Sequence, residues 1–126
     1  MTEREFMATV AAPGEARLFA AEILPELLAG QVGGLLDDVQ LVVSELVTNA
    51  VRAGSPTIRL DIAPTPDGRL AIRVTDVAGG WPRPRAATAE DPGGRGLALV
   101  SAVASAWGAR REERGKTVWA ELTVPA

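Results

Sequence analysis

The sequence predicts a two-layer α+β sandwich, a mixed but mostly antiparallel sheet with helices packed on one face. Three observations carry that prediction. Segments with strand and helix character follow in the order β-α-α-β-β-loop-α-β-β, which sets hairpins beside helices instead of alternating the two as a doubly wound sheet does. The Pro66-Asp67-Gly68 turn joins two strand-like segments into a hairpin. Apolar residues then recur at helical spacing over a long central segment. At 126 residues the chain is expected to form one domain spanning 1–126, with enough length for a core.

Taken in order, residues 5–12 read as a first strand, ended by Pro13-Gly14. From 15 to about 28, Leu18, Ala21, Leu24 and Leu28 repeat at helical spacing, and Pro25 is expected to bend or split that helix. The second helix is placed at 35–53. Leu35, Val39, Val43, Leu46 and Ala50 form its core stripe, while Asp38, Glu45, Asn49 and Arg52 lie about 100° or more round from it. Gly54 closes the helix and Pro56 prevents its continuation. Strands are expected at 57–63 and 69–76. In the second, Leu70, Ile72 and Val74 share one phase with Asp76, a carboxylate aimed at the core that needs a partner there. Residues 77–93, with three prolines and no apolar periodicity, suit a lid. A third helix at 97–106 follows, then strands at 110–113 and 117–124.

Composition removes several function classes. The formal charge of −3 and pI near 5.0, without a basic run, argue against a nucleic-acid partner. Neither cysteine nor histidine is present, which excludes disulfides, thiolate zinc sites, a Ser-His-Asp triad and phosphohistidine on this chain. Any catalysis must use carboxylates, a metal or the bound substrate. Met-Thr-Glu-Arg-Glu-Phe is not the start of a signal peptide and no apolar run is long enough for a bilayer, so no membrane partner and a cytoplasmic location are expected.

Four features carry chemistry. Glu45 and Asn49 are one turn apart on one helical stripe. They read either as a solvated face or as a carboxylate that polarises a hydroxyl above an amide that ligates magnesium, with phosphate oxygens completing the site. Asp76 either starts a turn or accepts a hydrogen bond from a ligand amino group. Gly94-Arg95-Gly96 opens a helix, where free N–H groups favour phosphate, although a plain turn reads the same. Gly115-Lys116-Thr117 resembles the end of a P-loop, but Arg110 stands where the P-loop needs glycine and a strand follows. It is read as a hairpin turn with Thr117 near the nucleotide. Trp81, Trp107 and Trp119 are assigned to packing. Leu41, off the core face, suits a homodimer contact.

Together and in order, Glu-Leu-Val-Thr-Asn-Ala-Val-Arg at 45–52, Asp76, the glycine pairs and Gly-Lys-Thr-Val-Trp-Ala-Glu-Leu at 115–122 resemble the GHKL, or Bergerat-fold, ATP-binding module. Gyrase, a chaperone family, mismatch-repair ATPases and histidine kinases share that module. The short lid and the helix phrase are most similar to its anti-sigma-factor serine/threonine kinase branch. The resemblance implies ATP and Mg2+ as ligands, Glu45 as general base, and Asn49 as magnesium ligand. It places Asp76 at the adenine amino group, Gly80 in the second glycine position of the Asp-x-Gly-x-Gly box, and Gly94, Arg95 and Gly96 at phosphate. As partners it implies a sigma factor and a STAS-type anti-sigma-factor antagonist. Ala78 stands where the box has its first glycine, and Ala53-Gly54 replaces the usual His-Ala. Those departures leave two other readings: a nucleotide-dependent protein-binding switch without turnover, and a detached histidine-kinase-like ATPase domain.

Overall fold

The computed structural model describes residues 2–30, 32–77 and 92–125, with side chains from Leu97 onward in the last group. Five strands, β1 (Glu3–Met7), β2 (Thr57–Pro64), β3 (Arg69–Asp76), β4 (Ala106–Arg111) and β5 (Lys116–Thr123), form one sheet in the order β1-β2-β3-β5-β4. All four pairings are antiparallel. Among the described residues three helices, α1 (Ala12–Leu27), α2 (Leu35–Arg52) and α3 (Pro92–Val103), accompany the sheet in an α+β fold. Among the described residues no helix is long and apolar enough to cross a membrane.

The core lies between the sheet and the helices. Ile58, Leu60 and Ile62 of β2, Leu70, Ile72 and Val74 of β3, and Val118, Ala120 and Leu122 of β5 are buried on one face, the period-2 set each strand offers to one side. They meet Phe19 and Leu24 of α1 and the expected stripe Leu35, Val39, Val43, Leu46 and Ala50 of α2, all buried, with Val42 and Val47 widening it. Burying each large side chain contributes about 1.5–3 kcal/mol, so α2, which packs against β2, β3 and β5, is fixed by its apolar side and its polar side is free for function.

Several boundaries differ from the sequence expectation. β1 stops at Met7, where the Thr9 N–H folds back onto the Met7 carbonyl. Pro13 and Gly14 do not end a strand but sit in the first turn of α1, where the missing proline N–H has no intrahelical acceptor to lose. Pro25 neither splits nor ends α1 early. It falls in the last turn and the helix reaches Leu27, with Gly30 N–H donating to the Pro25 carbonyl at 2.7 Å. α3 begins at Pro92, five residues before the expected 97. β4 covers Ala106–Arg111 rather than 110–113, because its register against β5, from Ala106↔Glu121 to Arg111↔Lys116, leaves 112–115 to turn the corner.

Candidate functional site

β3 and β5 are neighbours inside the sheet, and their register decides what stands beside Asp76. Asp76 pairs with Lys116 on one side and Ile58 on the other. Being in phase with Leu70, Ile72 and Val74, it points toward the helices as expected. Its carboxylate is bridged by the Lys116 ammonium, Nζ lying 3.1 Å from Oδ1 and 3.0 Å from Oδ2. The two side chains are 1% and 5% exposed. Charges this deep are tolerated because each satisfies the other.

Two local devices hold this pair at the end of β3. Gly115 has φ +95°, and a Cβ on it would lie 2.0 Å from the Asp76 carbonyl oxygen and 2.5 Å from Val77 Cα. Only glycine lets the β4–β5 turn seat on the end of β3 so closely. On the other side Ser55, buried in the α2–β2 connection, accepts the Val77 N–H at 3.1 Å through Oγ. The hydroxyl of the same serine donates to the Thr57 carbonyl.

Thr117 is not brought to Asp76. Successive strand residues face opposite sides, and Thr117 pairs with Thr75 on the face away from the helices. Its hydroxyl donates to Glu112 Oε1 at 2.9 Å and lies 2.8 Å from the Thr75 hydroxyl. Since its single hydrogen goes to Glu112, Thr75 is the donor of that second bond. Arg110 donates to the same Glu112 oxygen at 3.1 Å and 3.0 Å. The Thr117 hydroxyl first, and Arg110 second, hold the Glu112 carboxyl below the usual glutamate range, with desolvation opposing them. This network edges an open depression of about 600 Å³ on the outer face, shared with Asp61 and Arg73. The register thus sets Thr117 on the sheet face opposite Asp76 and brings Lys116 beside that carboxylate. Val118, Ala120 and Leu122 already fixed the parity of the buried phase, and extending the strand back by one residue puts Lys116 in it.

On α2, Glu45 and Asn49 are both half-buried beside the core stripe. The Asn49 carboxamide carries a buried Nδ2 with no hydrogen-bond partner among the described residues, while its backbone carbonyl is taken by Ala53 N–H. An orphaned buried amide is costly, by about 1–3 kcal/mol, and a rare one in a native fold marks a place where a polar partner arrives. Turning the carboxamide about its last torsion exchanges its ends, so the same position offers an oxygen to a cation or an N–H to a phosphate. Among the described residues no group of three or more acidic side chains could hold a metal ion.

α2 packs against β3 and β5, the strands of Asp76 and Lys116, and also against α3. Gly94, Arg95 and Gly96 lie in the first turns of α3, where N–H groups lack intrahelical acceptors and the dipole favours anions. Gly80, Ala78 and Trp81 lie outside the described residues.

These elements together identify the class. The family model of the histidine kinase-like ATPase domain matches residues 6–122, and the chain belongs to that family of GHKL-type ATP-binding domains. Its five-stranded antiparallel sheet with three helices is the fold of that family. No curated protein sequence matches the chain.

Proposed function

We propose that this protein is an ATP-binding regulator that acts as an anti-sigma factor with serine/threonine protein kinase activity, its substrate a serine on a STAS-type antagonist. The observation that carries the reading is the orphaned carboxamide of Asn49, one helical turn beyond Glu45, on the helix packed against the strands of Asp76 and Lys116. In this account Asp76 accepts from the adenine amino group. Asn49 holds Mg2+ through its carboxamide oxygen, and the N–H groups at the start of α3 receive phosphate. Magnesium, when bound, supplies positive charge against the negative charge developing on the phosphates.

Glu45 accepts the proton of the incoming serine hydroxyl as its oxygen bonds to the γ-phosphorus and the bond from that phosphorus to the ADP oxygen breaks. Positioning by α2 and the sheet supplies most of the remaining catalysis. The sigma factor and a homodimer contact at Leu41, which is half-buried on α2, belong to the same proposal, as does a cytoplasmic location.

The deciding experiment follows labelled γ-phosphate from ATP to a purified antagonist, with the unaltered protein and Glu45→Ala. Transfer that Glu45→Ala abolishes while ATP binding persists supports the kinase. Binding without transfer by the unaltered protein sinks it in favour of a nucleotide-dependent switch, and transfer to a histidine of another protein would favour a detached histidine-kinase-like domain. Calorimetric titration of ATP with and without Mg2+ tests Asn49: if Asn49→Ala keeps the full magnesium dependence, the ligand assignment fails.

A further inference from the structure

We propose that Lys116 is a concealed acylation site, which takes an acyl group from a small acyl phosphate only when the end of the β4–β5 hairpin frays. The proposal stands apart from the nucleotide reading above.

Three observations carry it. Lys116 is the single lysine of the chain, and every other cationic side chain is arginine. Acetylation is directed at lysine and not at arginine, so acyl transfer to a side-chain amine has one address here. That address is closed in the fold. Lys116 is 4% exposed and its Nζ lies 3.1 Å and 3.0 Å from the two Asp76 oxygens, so an acyl carbon has no approach. It also lies where opening is easiest. Lys116 occupies the last rung of both its ladders, across from Asp76 on β3 and Arg111 on β4. Among the described residues β4 has one neighbour in the sheet, β5, and it is half-exposed or exposed throughout. Elements with few buried contacts open at the lowest cost.

Short-range fastenings close this end. The Glu112 N–H donates to the Gly115 carbonyl at 3.0 Å, the Thr117 hydroxyl donates to Glu112 Oε1 at 2.9 Å, and Gly115 seats on the end of β3. Releasing them lifts Lys116 clear while the rungs from Val74↔Val118 to Arg69↔Thr123 stay paired. In that open state the neutral amine attacks the acyl carbon and a C–N bond forms. The bond from that carbon to the phosphate oxygen breaks, phosphate leaves with the electron pair, and the amine proton passes to water. The product amide has lost the charge and offers one N–H in place of three. It cannot rebuild the bridge to both Asp76 oxygens, and a site this buried has no room for the added acyl group. Acylation therefore turns a passing opening into a lasting loss of the closed hairpin end.

The test treats the whole chain with acetyl phosphate and reads acetylation site by site by peptide mass spectrometry. Arg59→Lys supplies the reference amine, at a surface position whose arginine side chain is 55% exposed. Lys116 should react more slowly than position 59 by more than about tenfold, the factor given by about 1.4 kcal/mol of opening free energy. A smaller ratio overturns the concealment. Urea below the unfolding midpoint should speed the labelling of Lys116 with a slope shallower than that of global unfolding. Equal slopes would overturn the fraying, since only the fully unfolded chain would then react. Protein acetylated at Lys116 in urea and returned to buffer should not regain the urea midpoint of protein treated without urea, whose N-terminal amine is acetylated alike. An unchanged midpoint overturns the lasting loss.

Discussion

Replacing Lys116 by Met removes one member of the buried pair and leaves the Asp76 carboxylate facing the core. Truncating one partner of such a pair costs about 3–5 kcal/mol, because an uncompensated charge remains buried. The near-complete burial of both side chains places the expected cost within that range and not in the ~0–1 kcal/mol typical of exposed pairs. A domain of this size has about 5–15 kcal/mol in total. In urea, with a slope of about 1.5 kcal/mol per molar, the unfolding midpoint should fall by about 2–3 M at unchanged slope. Converting the partner as well, in Asp76→Leu/Lys116→Met, removes the buried carboxylate and should recover at least half of the loss, which a double-mutant cycle that includes Asp76→Leu measures as coupling. The reasoning fails if Lys116→Met loses less than about 1 kcal/mol, as a surface pair would, or if the double variant is as unstable as the single one.

Three further outcomes are expected. Gly115→Ala forces a left-handed alanine into the Asp76 and Val77 backbone and should cost about 3–5 kcal/mol, whereas Gly34→Ala, with φ −81° and nothing within 4 Å of its Cβ, should leave the urea midpoint nearly unmoved; similar midpoints for the two would refute the seating of the turn. The lowered Glu112 value means its contribution to stability is present above the ordinary glutamate range and is lost as pH falls through the folded-state value. Thr117→Val should bring the carbon-detected NMR titration of Glu112 up toward that ordinary range while leaving ATP affinity alone, and weakened ATP binding would return Thr117 to the nucleotide side. Asn49→Ala removes an orphaned buried donor, so it should unfold no earlier than the unaltered protein in a thermal scan, or later by up to about 1–3 kcal/mol of stability, even as it loses magnesium-dependent binding; marked destabilisation would mean that the carboxamide is already satisfied.

How legible these features were depended on local signal. α2 and β3 could be placed within a residue or so, because one carries a full apolar stripe bounded by Gly54 and the other a clean alternation bounded by Gly68. The same alternation exposed Asp76 as a carboxylate in the core phase. β4 was misplaced because Ala106–Arg111 is half-exposed or exposed throughout, so an edge strand beside β5 shows no inside-outside period. The late start read for α1 follows from taking Pro13 as a breaker, whereas proline is at home in a first helical turn, and the late start read for α3 follows from its glycine-rich first turns. Lys116 is harder to see from the sequence, because it lies at the first position of β5, inside the Gly115-Lys116-Thr117 segment that reads as a turn, although the alternation of Val118, Ala120 and Leu122 extends back to it.

The order of the strands has a consequence for synthesis. Asp76 is made forty residues before the lysine that neutralises it, and the inner strand that carries it gains its second neighbour only when β5 is complete. A nascent chain stopped between the two therefore exposes the bare edge of β3 on the side where β5 will pair. Such an intermediate should be a ready client for chaperones, and no amount of nucleotide can rescue it before the last strand leaves the ribosome.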